Sequence, residues 1–379
     1  MKIIVLGAGL VGGPMAVDLA ADPSFKVTSA DVRAEPLDRL TGAGRIQTAQ
    51  YDLADARQVR TLVSGYDIVL NALPGYLGFQ TLQAVLEAGK PAVDIAFFPE
   101  DPFLLDELAK RRGVTAVVDC GVAPGMSNLL VGHVQSRLER IERVAIYVGG
   151  LPQTREWPFE YRTVFSLLDV IEEYTRPARF IEHGRLVTRP ALSEREHIDF
   201  PEIGTLEAFN SDGLRTLIAT IPAPHMKEKT LRYPGHAEKM ELLRETGFFS
   251  KEPLSIGKVA VRPLDLTAAL LREKWQLQPG SGDFTVMRVS VEGEAAGRTQ
   301  RWTYQLLDRS DPHSGTLSMA RTTGYTATSM VRLLASGIYR QPGITPPEFV
   351  GRDPRAVDFM LTELAKRGIH YHETIEPHG

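Results

Sequence analysis

The sequence predicts an α/β protein: a doubly wound parallel sheet, then a second α+β domain with a mixed or antiparallel sheet, inserted before a C-terminal segment that returns to the first domain. Three observations predict it. Short apolar runs alternate with helical patterns as far as residue 120, a Gly-rich turn joins the first run to the first helix, and after Gly125 the strands lengthen and are joined by Gly-containing turns. The domains expected are residues 1–125 with about 325–379, and 126–324.

The first element is the run Lys2 to Leu6, almost wholly apolar and rich in β-branched residues, which reads as a buried strand. It runs into Gly7-Ala-Gly9-Leu10-Val11-Gly12, and Met15 and Leu19 then continue at helical spacing. This fits the GxGxxG turn of a Rossmann domain, the alternative being an unliganded βαβ turn with Asp31 as an N-cap. Gly7 permits the tight turn, Gly9 lets the backbone approach a pyrophosphate, and Gly12 brings the helix close to the strand, with N–H groups facing the anion. A second strand, Lys26 to Ala30, ends at Asp31, where a carboxylate meets the adenosine ribose. A carboxylate accepts from both ribose hydroxyls and repels a 2′-phosphate, so the expected cofactor is NAD. Arg33, two residues on, is either a phosphate partner or a solvated arginine lying along the adenine.

Further strands are expected at Ile46 to Gln50, Ile68 to Ala72, Ala92 to Ala96 and Thr115 to Asp119. Ligands of such sheets lie beyond the carboxyl ends of the strands. There the sequence places Asp52, Leu73-Pro74-Gly75, Tyr76, Asp94, Asp119 and Cys120-Gly121. Asp52, Leu73, Pro74, Gly75 and Gly121 join Leu10 and Val11 as cofactor candidates, and Gly121-Val-Ala-Pro-Gly125 reads as a turn whose N–H groups face the crevice.

In the second domain, strands are expected at Val144 to Val148, Arg179 to Ile181, Leu186 to Thr188, Lys229 to Tyr233, Thr285 to Glu292 and Arg298 to Leu307. Helices are expected at Leu167 to Tyr174, behind a Ser166-x-x-Asp169 capping box, and at Ala237 to Arg244, stopped by Gly247. Two more, Thr326 to Ala335 and Pro354 to Lys366, are expected to return to the first domain.

With 379 residues, 43% hydrophobic and 24% charged, the chain can bury a core in each of two domains. A net charge of −4 without a basic stripe gives no sign of nucleic acid or an anionic membrane as partner, and no apolar run approaches the roughly 20 residues of a membrane span. The single cysteine excludes an internal disulfide, and a chain that starts on a core strand leaves no room for a signal peptide, so the cytoplasm is the expected location. His370 and His372 are read as a solvated pair, and no metal site is expected.

Several segments carry a resemblance. Leu73-Pro-Gly-Tyr-Leu-Gly-Phe79, Asp94-Ile-Ala-Phe-Phe-Pro-Glu100, Asp119-Cys-Gly-Val-Ala-Pro-Gly-Met-Ser-Asn128, Tyr147-Val-Gly-Gly-Leu-Pro152, Glu173-Tyr-Thr-Arg-Pro-Ala-Arg179, Ser211-Asp-Gly-Leu-Arg215 and Thr230-Leu-Arg-Tyr-Pro-Gly-His236 together resemble the lysine 6-dehydrogenase branch of the saccharopine dehydrogenase-like oxidoreductases. Pro14, early in the first helix, is more similar to the saccharopine reductase branch. The resemblance implies NAD-dependent oxidative deamination of the lysine ε-amine, with a product aldehyde that closes to a cyclic imine, and it implies a homodimer. An exposed antiparallel sheet in the second domain fits that assembly.

That chemistry needs a proton acceptor near the amine and an anchor for the α-carboxylate. Asp94, Asp119 and His236 are the candidate acceptors; each has an ordinary alternative, a turn cap for the acids and a helix start for His236. Arg232 and Arg215 are the candidate anchors, because a guanidinium fork matches a carboxylate, and either could equally sit in a structural ion pair, Arg215 with Asp212 or Glu207. Tyr76 is a candidate substrate contact, and Cys120 reads as a small core residue. Two readings compete with the dehydrogenase: a saccharopine-type reductase, whose substrate would need more converging cations, and a non-catalytic NAD-binding regulator.

Overall fold

The computed structural model describes residues 1–163, 166–278 and 280–377. They form two compact units, residues 1–137 with 319–371, and residues 138–318 with the C-terminal strand from His372.

In the first unit, strands and helices alternate: β1 (Lys2–Leu6), α1 (Gly12–Ala20), β2 (Lys26–Asp31), α2 (Ala34–Leu40), β3 (Ile46–Gln50), α3 (Ala56–Val63), β4 (Ile68–Asn71), α4 (Gly75–Glu87), β5 (Ala92–Asp94), α5 (Asp106–Arg112), β6 (Thr115–Val117) and α6 (Met126–Gln135). The strands make one seven-stranded sheet in the order β17-β6-β5-β4-β1-β2-β3, where β17 is the two-residue strand Gly343–Ile344, and every pairing is parallel. A parallel sheet is covered on both faces, which is why β1, β4 and β6 read as unbroken apolar runs; Ile3, Ile4, Val5, Leu6, Val69, Leu70, Ala116 and Val117 are fully buried.

The second unit holds β7 (Arg140–Pro152), α7 (Leu167–Thr175), β8 (Ala178–Glu182), β9 (Arg185–Arg189), β10 (Glu196–Phe200), β11 (Gly204–Asn210), α8 (Leu217–Thr220), β12 (His225–Arg232), α9 (His236–Glu245), β13 (Leu254–Ile256), β14 (Val259–Val261), α10 (Pro263–Trp275), β15 (Asp283–Ala295) and β16 (Arg298–Arg309). Its nine-stranded sheet follows β10-β11-β12-β7-β15-β16-β18, with β8 and β9 attached at β12, and β18 is His372–Pro377. Only β7 and β12 run parallel, so the sheet is mixed. Along β15 and β16 buried and half-buried residues alternate, the period-2 pattern of a sheet with one covered face. Helices α7, α9 and α10 gather around Tyr174 and Trp275, both fully buried.

The chain then re-enters the first unit through α11 (Ser318–Ser336), α12 (Pro347–Gly351) and α13 (Pro354–Ala365). Two expected boundaries move. The first segment extends past 125 to 137, because α6 packs on α12: Gly132 leaves no room for a Cβ against the Glu348 carbonyl, and Gly351 none against that of Leu129. The last residues do not stay with the returning segment, because β18 pairs antiparallel with β16. The strand starts at His372, so His370 lies outside it.

Candidate functional site

The three glycines of the first turn separate cleanly. Gly7 has φ 97°, and a Cβ there would lie 2.7 Å from the Ala72 carbonyl oxygen; at Gly12 a Cβ would lie 2.0 Å from the Gly7 carbonyl oxygen. The fold itself requires both. Gly9 has no positive φ, and a Cβ there would meet nothing within 4 Å. Among the described residues, no acceptor meets the N–H of Gly9, Leu10 or Val11, and these donors precede the first turn of α1. A glycine that the chain does not need, beside unspent donors at a helix start, fits an anion that comes close to the backbone. Pro14 lies in the first turn of α1, where an amide has no intrahelical acceptor, so it costs the helix nothing.

Asp31 closes the other side of this cradle. It is buried, and its two oxygens accept from the N–H of Ala8 (2.8 Å) and of Arg33 (2.9 Å). The carboxylate is thus fixed against the glycine turn, with lone pairs left on each oxygen. The Arg33 guanidinium, largely exposed, lies 3.7 Å from Asp31. Leu10, Val32 and Tyr76 are all more than half exposed on the loops or helix starts that follow β1, β2 and β4. Apolar side chains left open at the carboxyl edge of a parallel sheet suit the faces of aromatic rings. These residues fit a dinucleotide: the Gly9 turn and α1 would hold the pyrophosphate, Asp31 the ribose, and Leu10 and Val32 would flank the adenine end.

Other expected cofactor residues are used differently. Asp52 is exposed and accepts from the Ala54 N–H (3.0 Å), which makes it the anchor of the turn before α3. Leu73 is buried under Gly7; Pro74 caps α4, and a Cβ on Gly75 would lie 2.4 Å from the Phe97 carbonyl oxygen, so both serve the β4–α4 turn. Gly121 does not offer its N–H to a ligand, because it donates to the Pro124 carbonyl (3.0 Å), while Met126 and Ser127 donate back to Gly121 and Val122. Gly125, at φ 140°, leaves no room for a Cβ above Gly121, so the loop folds tightly on itself. The Gly121 donor is consumed by the loop's own closure.

At the ends of β5 and β6 the structure gathers Asp94, Asp119 and Cys120. Asp94 is fully buried; it accepts from the Ala96 N–H (2.7 Å) and from the Asn71 side-chain amide (2.9 Å). Asn71, which the sequence reading passed over, also accepts from the Leu73 N–H (3.3 Å) and ties the two strand ends together. A polar residue ending the apolar run Ile-Val-Leu-Asn was its available signal. Asp119 is buried in the left-handed region at φ 50°, a backbone strain that this turn sustains. Burial, reinforced by Asp94 and Asp119, pushes the Cys120 thiol well up, so it stays protonated and is no nucleophile.

In the second unit, Arg232 and His236 meet, but in a closed network. Arg232 is buried; Nη2 donates to Glu173 (2.6 Å), Nε to the Tyr174 hydroxyl (3.2 Å) and Nη1 to the Leu231 carbonyl (2.9 Å), and the guanidinium lies 4.6 Å from the Tyr161 ring centroid. The carboxylate on its fork is Glu173, the structural ion pair that was the alternative to a substrate anchor at this position. His236 starts α9, with Nε2 on the Tyr174 hydroxyl (3.0 Å) and Nδ1 on the Phe159 carbonyl (2.8 Å). Burial, then the Arg232 charge, pushes its pKa down to about 3. Both ring nitrogens are engaged inside the chain and the ring is buried, in keeping with a place at the start of α9. Asp212 binds Arg179 bidentately (2.9 and 2.9 Å) and Glu207 accepts from the Gly235 N–H (3.3 Å). Arg215 is buried at φ 52°. Glu228, also unanticipated, accepts from Ser211 (2.8 Å) and the Gly213 N–H (3.0 Å), and burial pushes its pKa up to about 8. A lone Glu in a β-strand of alternating Lys gave no sign of it.

Comparison with known proteins agrees with this geometry. Residues 121–369 match the saccharopine dehydrogenase C-terminal domain, and residues 3–117 match the saccharopine dehydrogenase NADP binding domain. The chain belongs to the saccharopine dehydrogenase family. It is 22% identical to the saccharopine dehydrogenase [NADP(+), L-glutamate-forming] of Schizosaccharomyces pombe, over 99% of each chain. It is also 22% identical to the carboxynorspermidine synthase of Vibrio cholerae, over 93% of each. The fold is that of the apo saccharopine dehydrogenase (L-Glu forming) of Saccharomyces cerevisiae, with a TM-score of 0.81, 19% identity and 99% of each chain covered. A family member with a dinucleotide cradle and this fold is an oxidoreductase acting on amino acids.

Proposed function

We propose that the protein is an NAD-dependent dehydrogenase that oxidises the side-chain amine of L-lysine. The observation that carries the reading is Gly9 beside Asp31: a turn held open where the chain itself has no use for the space, with a carboxylate fixed beside it, as a ribose contact would require. Asp31 favours NAD, although relatives are named for NADP(+), because a buried carboxylate repels a 2′-phosphate. When bound, the nicotinamide supplies the hydride acceptor. The chain's own part is to orient the amine and take its proton, and for this we assign Asp94 and Asp119, at the strand ends where ligands of such sheets lie. Arg215 is the remaining candidate for the substrate carboxylate and Tyr76 for a contact near the nicotinamide.

A saccharopine-type reductase is the second reading, favoured by the full-length match to a saccharopine dehydrogenase. One assay tests both: reduced-nucleotide formation with lysine, ornithine and saccharopine, each with NAD and NADP. Turnover of lysine with NAD carries the proposal; turnover of saccharopine alone moves the assignment to the second reading; binding without turnover of any amine leaves a nucleotide-binding regulator.

A further inference from the structure

Helix α11 lies alongside α1 and runs in the same direction. A Cβ on Gly324 would lie 3.2 Å from Met15 Cγ and 3.6 Å from Val11 Cγ1. One turn further along α11, the Thr328 hydroxyl donates to Asp18 (2.5 Å), and one turn beyond that Arg332 donates to the same carboxylate (2.7 Å). A glycine inside a helix weakens it, and at position 324 it serves the close approach of the two helices. Because the helices are parallel, the first turns of α11 stand level with the glycine turn that precedes α1. Thr323, the neighbour of Gly324, also reaches the loop after β6: a Cβ on Gly121 would lie 3.3 Å from Thr323 Cγ2.

Two nearby hydroxyls of this helix are spent on strong acceptors. Thr326 donates to the Thr322 carbonyl (2.7 Å) and Thr328 to Asp18. Thr323, half-buried, donates to the Met319 sulfur (3.5 Å), and a thioether is a weak acceptor. Strand order decides which half of a dinucleotide comes near it. β2, which ends in Asp31, lies on one side of β1, and β4, β5 and β6 lie on the other. With the adenosine ribose at Asp31 and the pyrophosphate at the Gly9 turn, the nicotinamide half runs toward β4, β5 and β6. We infer that Thr323 is a cofactor-binding residue whose hydroxyl donates to an oxygen of that nicotinamide half, an assignment that rests on the dinucleotide reading of the Gly9 turn. The bond to sulfur gives way to one with a stronger acceptor, and no backbone carbonyl or carboxylate loses its partner in the exchange. The returning segment thereby supplies a binding group as well as a cover for α1.

The test measures binding by the full chain. It uses the fluorescence of NADH or NADPH, whichever the wild type binds more tightly, calorimetry with adenosine monophosphate, and a thermal melt of each variant. Thr323→Val keeps the shape and removes the hydroxyl, and should weaken the reduced dinucleotide by roughly fivefold to tenfold. The monophosphate, which carries only the adenosine half, should bind as before. Thr323→Ser keeps the hydroxyl and should bind the dinucleotide within about twofold of wild type. A threonine merely packed on Gly121 would reverse this order, because serine loses the methyl group and valine does not. Wild-type dinucleotide affinity in Thr323→Val, an equal loss for the monophosphate, or a Thr323→Ser impaired as much as Thr323→Val would each overturn the inference while leaving the cradle in place. A wild type that binds neither dinucleotide would remove the dinucleotide reading itself, and this inference with it.

Discussion

The turn at Gly9 and the network around Arg232 both concentrate polar groups, and they differ in what those groups still lack. At Gly9 the backbone donors are unspent and the space above them is open, so that a Cβ would meet nothing within 4 Å. Around Arg232 every nitrogen of the guanidinium and both of His236 have partners inside the chain. The first arrangement leaves donors open to a ligand. The second is self-sufficient, and buried charge is tolerated there because it is paired.

Substitutions can break this contrast, starting with the largest effect. Gly9→Val should reduce nucleotide affinity by on the order of a hundredfold or more while the melting temperature barely moves, since the new side chain meets only the ligand's space. Titration of NADH fluorescence beside a thermal melt checks it, and unchanged affinity would remove the cradle. Arg232→Leu should do the reverse. With Glu173, half-buried, left without its partner, stability should fall by about 2–3 kcal/mol in denaturant unfolding, while nucleotide affinity of the remaining folded protein is unaltered. Equal stability with a raised Michaelis constant for lysine would restore Arg232 as a substrate anchor.

Asp31→Ser sharpens the nucleotide side: the preference for NAD over NADP should shrink by about tenfold, read as the ratio of kcat/KM with the two cofactors. A wild type that uses both equally would transfer control to Arg33.

The smallest effect lies in the second unit. Glu228 has its folded pKa raised from 4.5 to about 8, so the stability it contributes is full below 4.5 and is lost as pH rises through 8. His236 is lowered from 6.5 to about 3, so its contribution is present above 6.5 and is lost as pH falls through 3. The two slopes oppose each other between 4.5 and 6.5. From 6.5 to 8 only Glu228 remains, and stability should decline by on the order of 1 kcal/mol per pH unit. Glu228→Gln keeps an acceptor for Ser211 and should flatten that decline; a wild type already flat in this window would show Glu228 to be ionised throughout.

The sequence by itself determined the parallel sheet, the tight turn at Gly7, the close packing at Gly12 and the place of Asp31 at the end of β2, because these are local: a strand, a turn and a helix within about thirty residues, written in periodicity and in residues with special backbone freedom. It also displayed the segments by which the family could be recognised. Only the tertiary structure decided the fate of Arg232, His236 and Gly121, whose chemical types suited ligand contacts and whose partners Glu173, Tyr174, Phe159 and Pro124 took those contacts first. A side chain's type states which bonds it can make, but burial and long-range pairing determine which of them remain open to a ligand.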